Sequence, residues 1–280
     1  MWRCYVVALI LMLLLAFAGP ASLLAGEGPD SLWSKAISLY ESNDNWVPGS
    51  VYMHMQEVDK HGQPKDERGH EVWTRLYLDE DGEVEGELVK VLDNGEDITE
   101  EERARREEEE RENEDEGGDD DRSVTMEGYM PFDPEHQDGM NFHATGDVEV
   151  VNGRRCAVFE FEDERKGDDE DDDDDDTVVT GKVWLELEKG VPLKMEYTTD
   201  PLPKRVKKMN TTVVFEFTDP DTWRPASMSV EATGGFLFIK KHFHMHMTFD
   251  DHWRMPEEGE VVEGDGTGTV EDTEAVPAQE

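Results

Sequence analysis

Three histidines alternate late in the chain, His242, His244 and His246, with Phe243, Met245 and Met247 among them. On a β-strand successive side chains point to opposite faces, so the imidazoles share one face and the Phe and Met side chains the other. Two imidazoles at i and i+2 can chelate Zn2+ or Cu2+, and interleaved Met could serve Cu(I), but Met on the opposite face cannot join the same site. An ordinary exposed strand face reads the same way, and beyond His252 there is no clear fourth ligand. The opposite face offers a second chemistry. Met53 and Met55, with Phe215, Phe217, Phe243, Met245 and Met247, would make an adaptable apolar lining of the kind that accepts acyl chains of varying shape. The competing account is that these same side chains pack as a core under a helix.

Other reactive groups point nowhere so specific. Cys156 stands between Arg155 and Ala157 at the head of an apolar run, without the His or Asn patterning that would activate a nucleophile. The run from Asp168 to Asp176 could gather Ca2+ or Mg2+ loosely, but it lacks the Gly and terminal Glu of an EF-hand loop. There is no Ser nucleophile elbow, no Gly-rich phosphate loop and no His-Glu-X-X-His zinc helix, so neither an enzymatic activity nor a cofactor is expected.

The elements that must position these residues are mostly strands. Asp30 or Ser31 can cap a helix whose Leu32, Trp33, Ala36, Ile37, Leu39 and Tyr40 form an apolar stripe. From Val51 the period becomes two, and strands are expected at 51–56, 71–78 and 87–92 as an antiparallel meander. Thr99-Glu100-Glu101-Glu102 is a capping-box pattern opening a helix to roughly Glu114, polar all round and so expected as a solvated arm. Strands resume at 146–151 and 156–161 around the turn Asn152-Gly153. Five more follow at 178–188, 192–198, 211–218, 226–232 and 236–249, and connections this short pair neighbours antiparallel. The prediction is one mainly β domain over 26–255 of about ten strands with an N-terminal amphipathic helix, large enough for its own core.

Seventy acidic against 27 basic side chains give a formal charge of −43. That excludes direct binding to nucleic-acid phosphates, which requires Lys and Arg to displace counterions. The charge is uneven. Residues 93–122 carry net −12, 160–176 net −11 and 250–280 net −10, whereas 191–217 carry net +2. The acidic stretches read as a helical insertion at 93–122, an acidic loop at 162–176 and a disordered tail at 256–280. Lys204, Arg205, Lys207 and Lys208, with Lys240 and Lys241, are the basic concentrations, available to anionic head groups or to the protein's own acidic arms.

The first 25 residues read as a secretory signal, with Arg3 as the basic charge, an apolar run from Val6 to Ala18, and Gly19-Pro20 before small residues. An uncleaved anchor is the alternative, since Val6 to Ala25 is about long enough to span a bilayer. Glu27 stands where a lipidated Cys would follow Leu24-Ala25-Gly26, so no lipid anchor is expected. With Cys4 removed alongside the signal, Cys156 has no partner for an intramolecular disulfide. A periplasmic or secreted location follows.

The unit Gly181-Lys182-Val183-Trp184-Leu185-Glu186-Leu187-Glu188-Lys189-Gly190-Val191-Pro192-Leu193-Lys194, a Trp-bearing strand, a Gly turn and a Pro-Leu-Lys strand, resembles a segment of the bacterial outer-membrane lipoprotein-sorting carriers, the LolA/LolB-like family. The order of signal, amphipathic helix and strands is similar too. The resemblance implies a strongly curved, unclosed half-barrel over helices that holds a lipid or lipoprotein acyl chain in its concave face, with an envelope protein as a further partner. The acidic insertions are foreign to that family, and no equivalent of its gating Arg is found. The functional expectation is therefore an exported, non-enzymatic carrier or sensor of an apolar ligand, the alternatives being metal binding by the His strand or an acidic interaction module with no small ligand.

Overall fold

The computed structural model describes residues 29–43, 46–65, 69–79, 82–116, 129–165, 177–202, 205–219, 222–236 and 239–255. The expected signal segment, the Asp run, the tail at 256–280, Lys204 and the end of the helical insertion at 117–122 lie outside these residues.

Helix α1 (Pro29–Glu41) begins on a proline, which lacks an N–H that the first turn would leave unpaired anyway. Its end is tied down by Asn43. The Asn43 Nδ2 donates to the Leu39 carbonyl at 2.9 Å, and its Oδ1 accepts from the Trp223 backbone N–H at 3.1 Å. One side chain thus caps a carbonyl of the last helical turn and fastens the helix end to the sheet.

Thirteen strands follow among the described residues: β1 (Trp46–Val47), β2 (Ser50–Val58), β3 (His70–Leu78), β4 (Val84–Asp93), β5 (Glu96–Asp97), β6 (Met140–Val151), β7 (Arg154–Arg165), β8 (Thr177–Glu186), β9 (Pro192–Asp200), β10 (Val206–Asp219), β11 (Thr222–Phe236), β12 (Ile239–Asp250) and β13 (Trp253–Arg254). Helix α2 (Thr99–Glu116) and a 3-10 turn (Pro134–Gly139) stand between β5 and β6. Eleven strands form one antiparallel sheet in the order β5-β4-β3-β2-β12-β11-β10-β9-β8-β7-β6, which does not close into a barrel; β1 and β13 pair separately. The chain starts in the middle of the sheet, walks out to β5, crosses to the far edge at β6 and walks back until β12 pairs with β2. Early and late segments therefore meet at the sheet centre.

Two clusters of buried side chains lie under this crossing. The larger holds Leu32, Trp33 and Ala36 of α1 against Phe159, Val183, Met195 and Val213, with Phe132 from the crossing segment fully buried among them. Trp33 stacks on Phe142 at 4.3 Å between ring centroids and packs against Phe132 and Phe159. Gly190, at φ +72°, permits the close approach of α1: a Cβ there would lie 2.8 Å from the Lys35 Cβ and 2.9 Å from the Leu32 carbonyl oxygen. The smaller cluster is Val72, Leu88 and Val91, with Met53 and Ile98 packed against it.

Several acidic residues expected in solvated insertions belong to the sheet instead. Glu162 to Arg165 are part of β7, and Asp163 is 2% exposed because Arg165 Nε sits 3.0 Å from its carboxylate. A carboxylate can be buried when a guanidinium compensates it. Asp93, Glu96 and Asp97 likewise lie in β4 and β5. Helix α2 is anchored rather than free at its start. The buried Thr99 Oγ1 accepts from the Val91 N–H at 3.0 Å, and Arg103 Nη2 donates to the Leu88 carbonyl at 2.7 Å. Asp97 does the capping expected of Thr99, accepting from the Thr99 hydroxyl at 2.5 Å and from its N–H at 3.0 Å; those bonds hold the Asp97 carboxyl below its ordinary range.

Candidate functional site

The register aligns one apolar position from strand to strand across the sheet. Phe159 pairs with Val183, Val183 with Met195, Met195 with Val213, Val213 with Met228, Met228 with Met247, Met247 with Met53, Met53 with Val72 and Val72 with Val91. Directly opposed residues share a face, so this row lies on the face that carries α1 and the base of α2. Burial changes along it. Phe159, Val183 and Met195 are 0% exposed under α1, and Val72 and Val91 are buried beside α2. Between them Met228, Met247 and Met53 are only half-buried. The adjoining row, Val230, Met245 and Met55, is half-buried to exposed, with Met55 at 37%. The two coverings thus leave the β11, β12 and β2 part of an apolar face open.

This patch brings together five of the seven residues expected to line a ligand site: Met53, Met55, Phe243, Met245 and Met247. It leaves out two. Phe215 is 1% exposed with its ring 4.6 Å from Trp223, and Phe217 carries Arg154 and Lys189 5.0 Å above its ring. Both pack with the core cluster and do not line the opening, because α1 closes that half of the sheet. Sequence reasoning missed Met228 and Val230. The alternation in 226–232 carried the signal, but their place beside the Met pairs follows only from register.

At one end the patch meets charge. Lys241 Nζ lies 3.0 Å from the Glu57 carboxylate, Lys65 also pairs with it, and Lys241 stands 5.9 Å from the Phe243 ring. The Lys65 and Lys241 ammoniums hold the Glu57 carboxyl below its ordinary range.

The opposite face bears the imidazoles. His246 pairs across the strands with His54, and its Nδ1 lies 2.9 Å from the Ser229 hydroxyl; the Nδ1 of His242 lies 2.9 Å from the Thr233 hydroxyl. His244 pairs with Gln56 and Glu231. Burial first, then the neighbouring His244 and His54, holds the His246 pKa below its ordinary value. Among the described residues no three His, Cys, Asp or Glu side chains converge as a metal site would require. A separate depression of about 600 Å3 is lined by Glu160, Thr180, Gly181, Lys182, Glu196 and Asn210 among others. Glu160 is engaged there by two neighbours, the Lys182 ammonium at 2.8 Å and the His143 Nε2 at 3.2 Å.

The chain is similar in structure to a DUF1329 family protein. That protein is from Desulfovibrio piger; the identity is 12%, the match covers 80% of this chain and 92% of that one, and the TM-score is 0.30. The MucA/MucB complex of Pseudomonas aeruginosa matches at 10% identity over 81% of this chain and 99% of that one, with a TM-score of 0.21. MucB in complex with MucA(peri) matches at 9% identity over 82% and 100%, also with a TM-score of 0.21. No protein-family model and no curated protein matches the sequence. Among the described residues no helix is long and apolar enough to cross a membrane.

Cys156 is fully buried, and burial pushes its thiol up to about 11. At pH 8 almost none of it is thiolate, the nucleophilic form. Ellman's reagent should therefore leave Cys156 untouched in the folded protein and react with it in guanidinium. Reaction within minutes under native conditions would mean that β7 opens where the packing says it is closed.

Proposed function

We propose that this is an exported, non-enzymatic envelope protein that holds a lipid, a lipoprotein acyl chain or another apolar ligand on the open part of its helix-bearing sheet face, as a carrier or sensor. The observation behind this reading is the gap in cover over one continuous apolar row, buried at both ends and half-exposed at Met228, Met247 and Met53. Contiguous exposed apolar area on an otherwise charged chain marks an interaction site more often than an accident of packing. Methionine suits the role because its unbranched thioether repacks around chains of different shape.

The test is native mass spectrometry of the protein purified from the envelope without detergent. The expected spectrum contains a chain with an added mass removed by organic extraction, and the extracted protein should take up a fluorescent acyl probe with one-to-one stoichiometry. Protein that carries no adduct and takes up no probe would rule the reading out.

A further inference from the structure

From the register of β12 and β2 we infer that the open face binds a soft monovalent metal ion, Cu(I), through the thioethers of Met53, Met55, Met245 and Met247. This goes beyond the apolar-ligand reading and does not rest on it, because it calls on the sulfur atoms and not on the apolar surface.

The residue types change along the sheet where its cover ends. In the apolar row that crosses the strands, the buried positions are Phe159, Val183, Met195, Val213, Val72 and Val91, so one of six is Met. The three half-buried positions, Met228, Met247 and Met53, are all Met. In the adjoining row Met245 stands opposite Met55. An apolar strand face needs only bulk, and β-branched or aromatic residues suit a strand better than Met does. What Met adds is a polarisable sulfur on an unbranched chain with three rotatable bonds. Thioethers select Cu(I), whereas Ca2+ and Mg2+ take oxygen ligands. The imidazoles of the opposite face are a separate donor set and do not converge in threes among the described residues.

The register sets the geometry. Met247 faces Met53 and Met245 faces Met55, two directly opposed pairs that lie two residues apart on β12 and on β2. Their Cβ atoms therefore outline a quadrilateral roughly 5 Å across the strands and about 7 Å along them, with its centre about 4 Å from each corner. A methionine side chain spans that distance, so four sulfurs can reach one ion above the centre. Met228, opposite Met247, and His70, opposite Met55, flank the set. Solvent access is already present: Met53, Met245 and Met247 are half-buried and Met55 is 37% exposed, so an ion enters without the sheet opening.

Titration of the extracted protein with Cu(I) held reduced by ascorbate, with X-ray absorption at the copper edge to identify the ligand atoms, tests this. The wild type should take up one equivalent, with a first shell of sulfur alone. Met53→Leu with Met247→Leu keeps the face apolar and nearly conserves its volume, and it should weaken Cu(I) binding at least tenfold; replacing all four Met by Leu should abolish it. Both variants should keep a thermal midpoint within a few degrees of the wild type and take up the acyl probe within a few-fold of it, which separates loss of the sulfurs from loss of the apolar surface. Cys156→Ala, which removes the buried thiol, should leave Cu(I) uptake unchanged. Uptake that survives the fourfold substitution or disappears in Cys156→Ala overturns the site, as does nitrogen or oxygen in the wild-type first shell. Absence of any Cu(I) uptake overturns it too and leaves the apolar-ligand reading standing, since uptake of the acyl probe is measured without metal.

Discussion

Trp33→Ala is expected to destabilise the protein by about 3–5 kcal/mol, the usual cost of truncating a large buried aromatic. Its indole is 1% exposed, stacks on Phe142 with only 5° between planes, and touches Phe132 and Phe159. It also holds the crossing segment. Trp33 Nε1 donates to Gln137 Oε1 at 3.1 Å, and Gln137 Nε2 in turn donates to the Pro131 and Asp133 carbonyls at 2.9 and 2.8 Å. Truncation therefore leaves a cavity and releases the side chain that satisfies the turn above it. Thermal unfolding followed by circular dichroism should show a midpoint about 10 °C lower, at a few degrees per kcal/mol for a domain of this size. Trp33→Phe, which keeps the stack but loses the donor, should cost much less. A shift below 2 °C for Trp33→Ala would mean that α1 does not cover β6 to β9, and the division of the sheet into closed and open parts would fall with it.

How much of this was legible in the sequence depends on the range over which each signal acts. Alternation is local, and it placed every long strand, although the strands run further than expected wherever polar residues extend the ladder: β6 starts at Met140 rather than Gly146, and β11 spans Thr222–Phe236. Glu162 to Arg165 read as solvated because four consecutive charges offer no apolar signal. The compensation that buries Asp163 comes from Arg165 two residues on, on the same face of the strand, and the choice between pairing and solvation was not written in composition. Register is non-local. The Met53 and Met247 pair joins residues 194 positions apart, and nothing in either segment alone names the other. The same limit explains Phe215 and Phe217. They have the residue type and spacing of a lining, but α1 lies over their part of the sheet, and where a helix lies on an eleven-stranded sheet is decided by side chains such as Trp33 and Asn43 acting across more than a hundred residues.

Met245→Glu is expected to abolish binding of a neutral apolar ligand while leaving the protein folded. Met245 sits at the middle of the open patch, paired on one side with Val230 and on the other with Met55. In the free protein the new carboxylate keeps contact with water, because the site is only half-buried, and the stability cost should stay near 1 kcal/mol, as for a substitution outside the packed core. A chain lying over the patch would strip that water away, and an unpaired carboxylate in an apolar contact costs several kcal/mol. Affinity for oleyl alcohol should accordingly fall by at least a hundredfold, at 1.4 kcal/mol for each factor of ten. Met245→Leu, apolar and of similar volume, should bind within a few-fold of the wild type. The contrast separates a ligand that lies on the face from one held elsewhere: Phe217→Leu, in the closed part, should leave affinity intact. Normal binding by Met245→Glu, with its thermal midpoint preserved, would move the ligand off this face altogether.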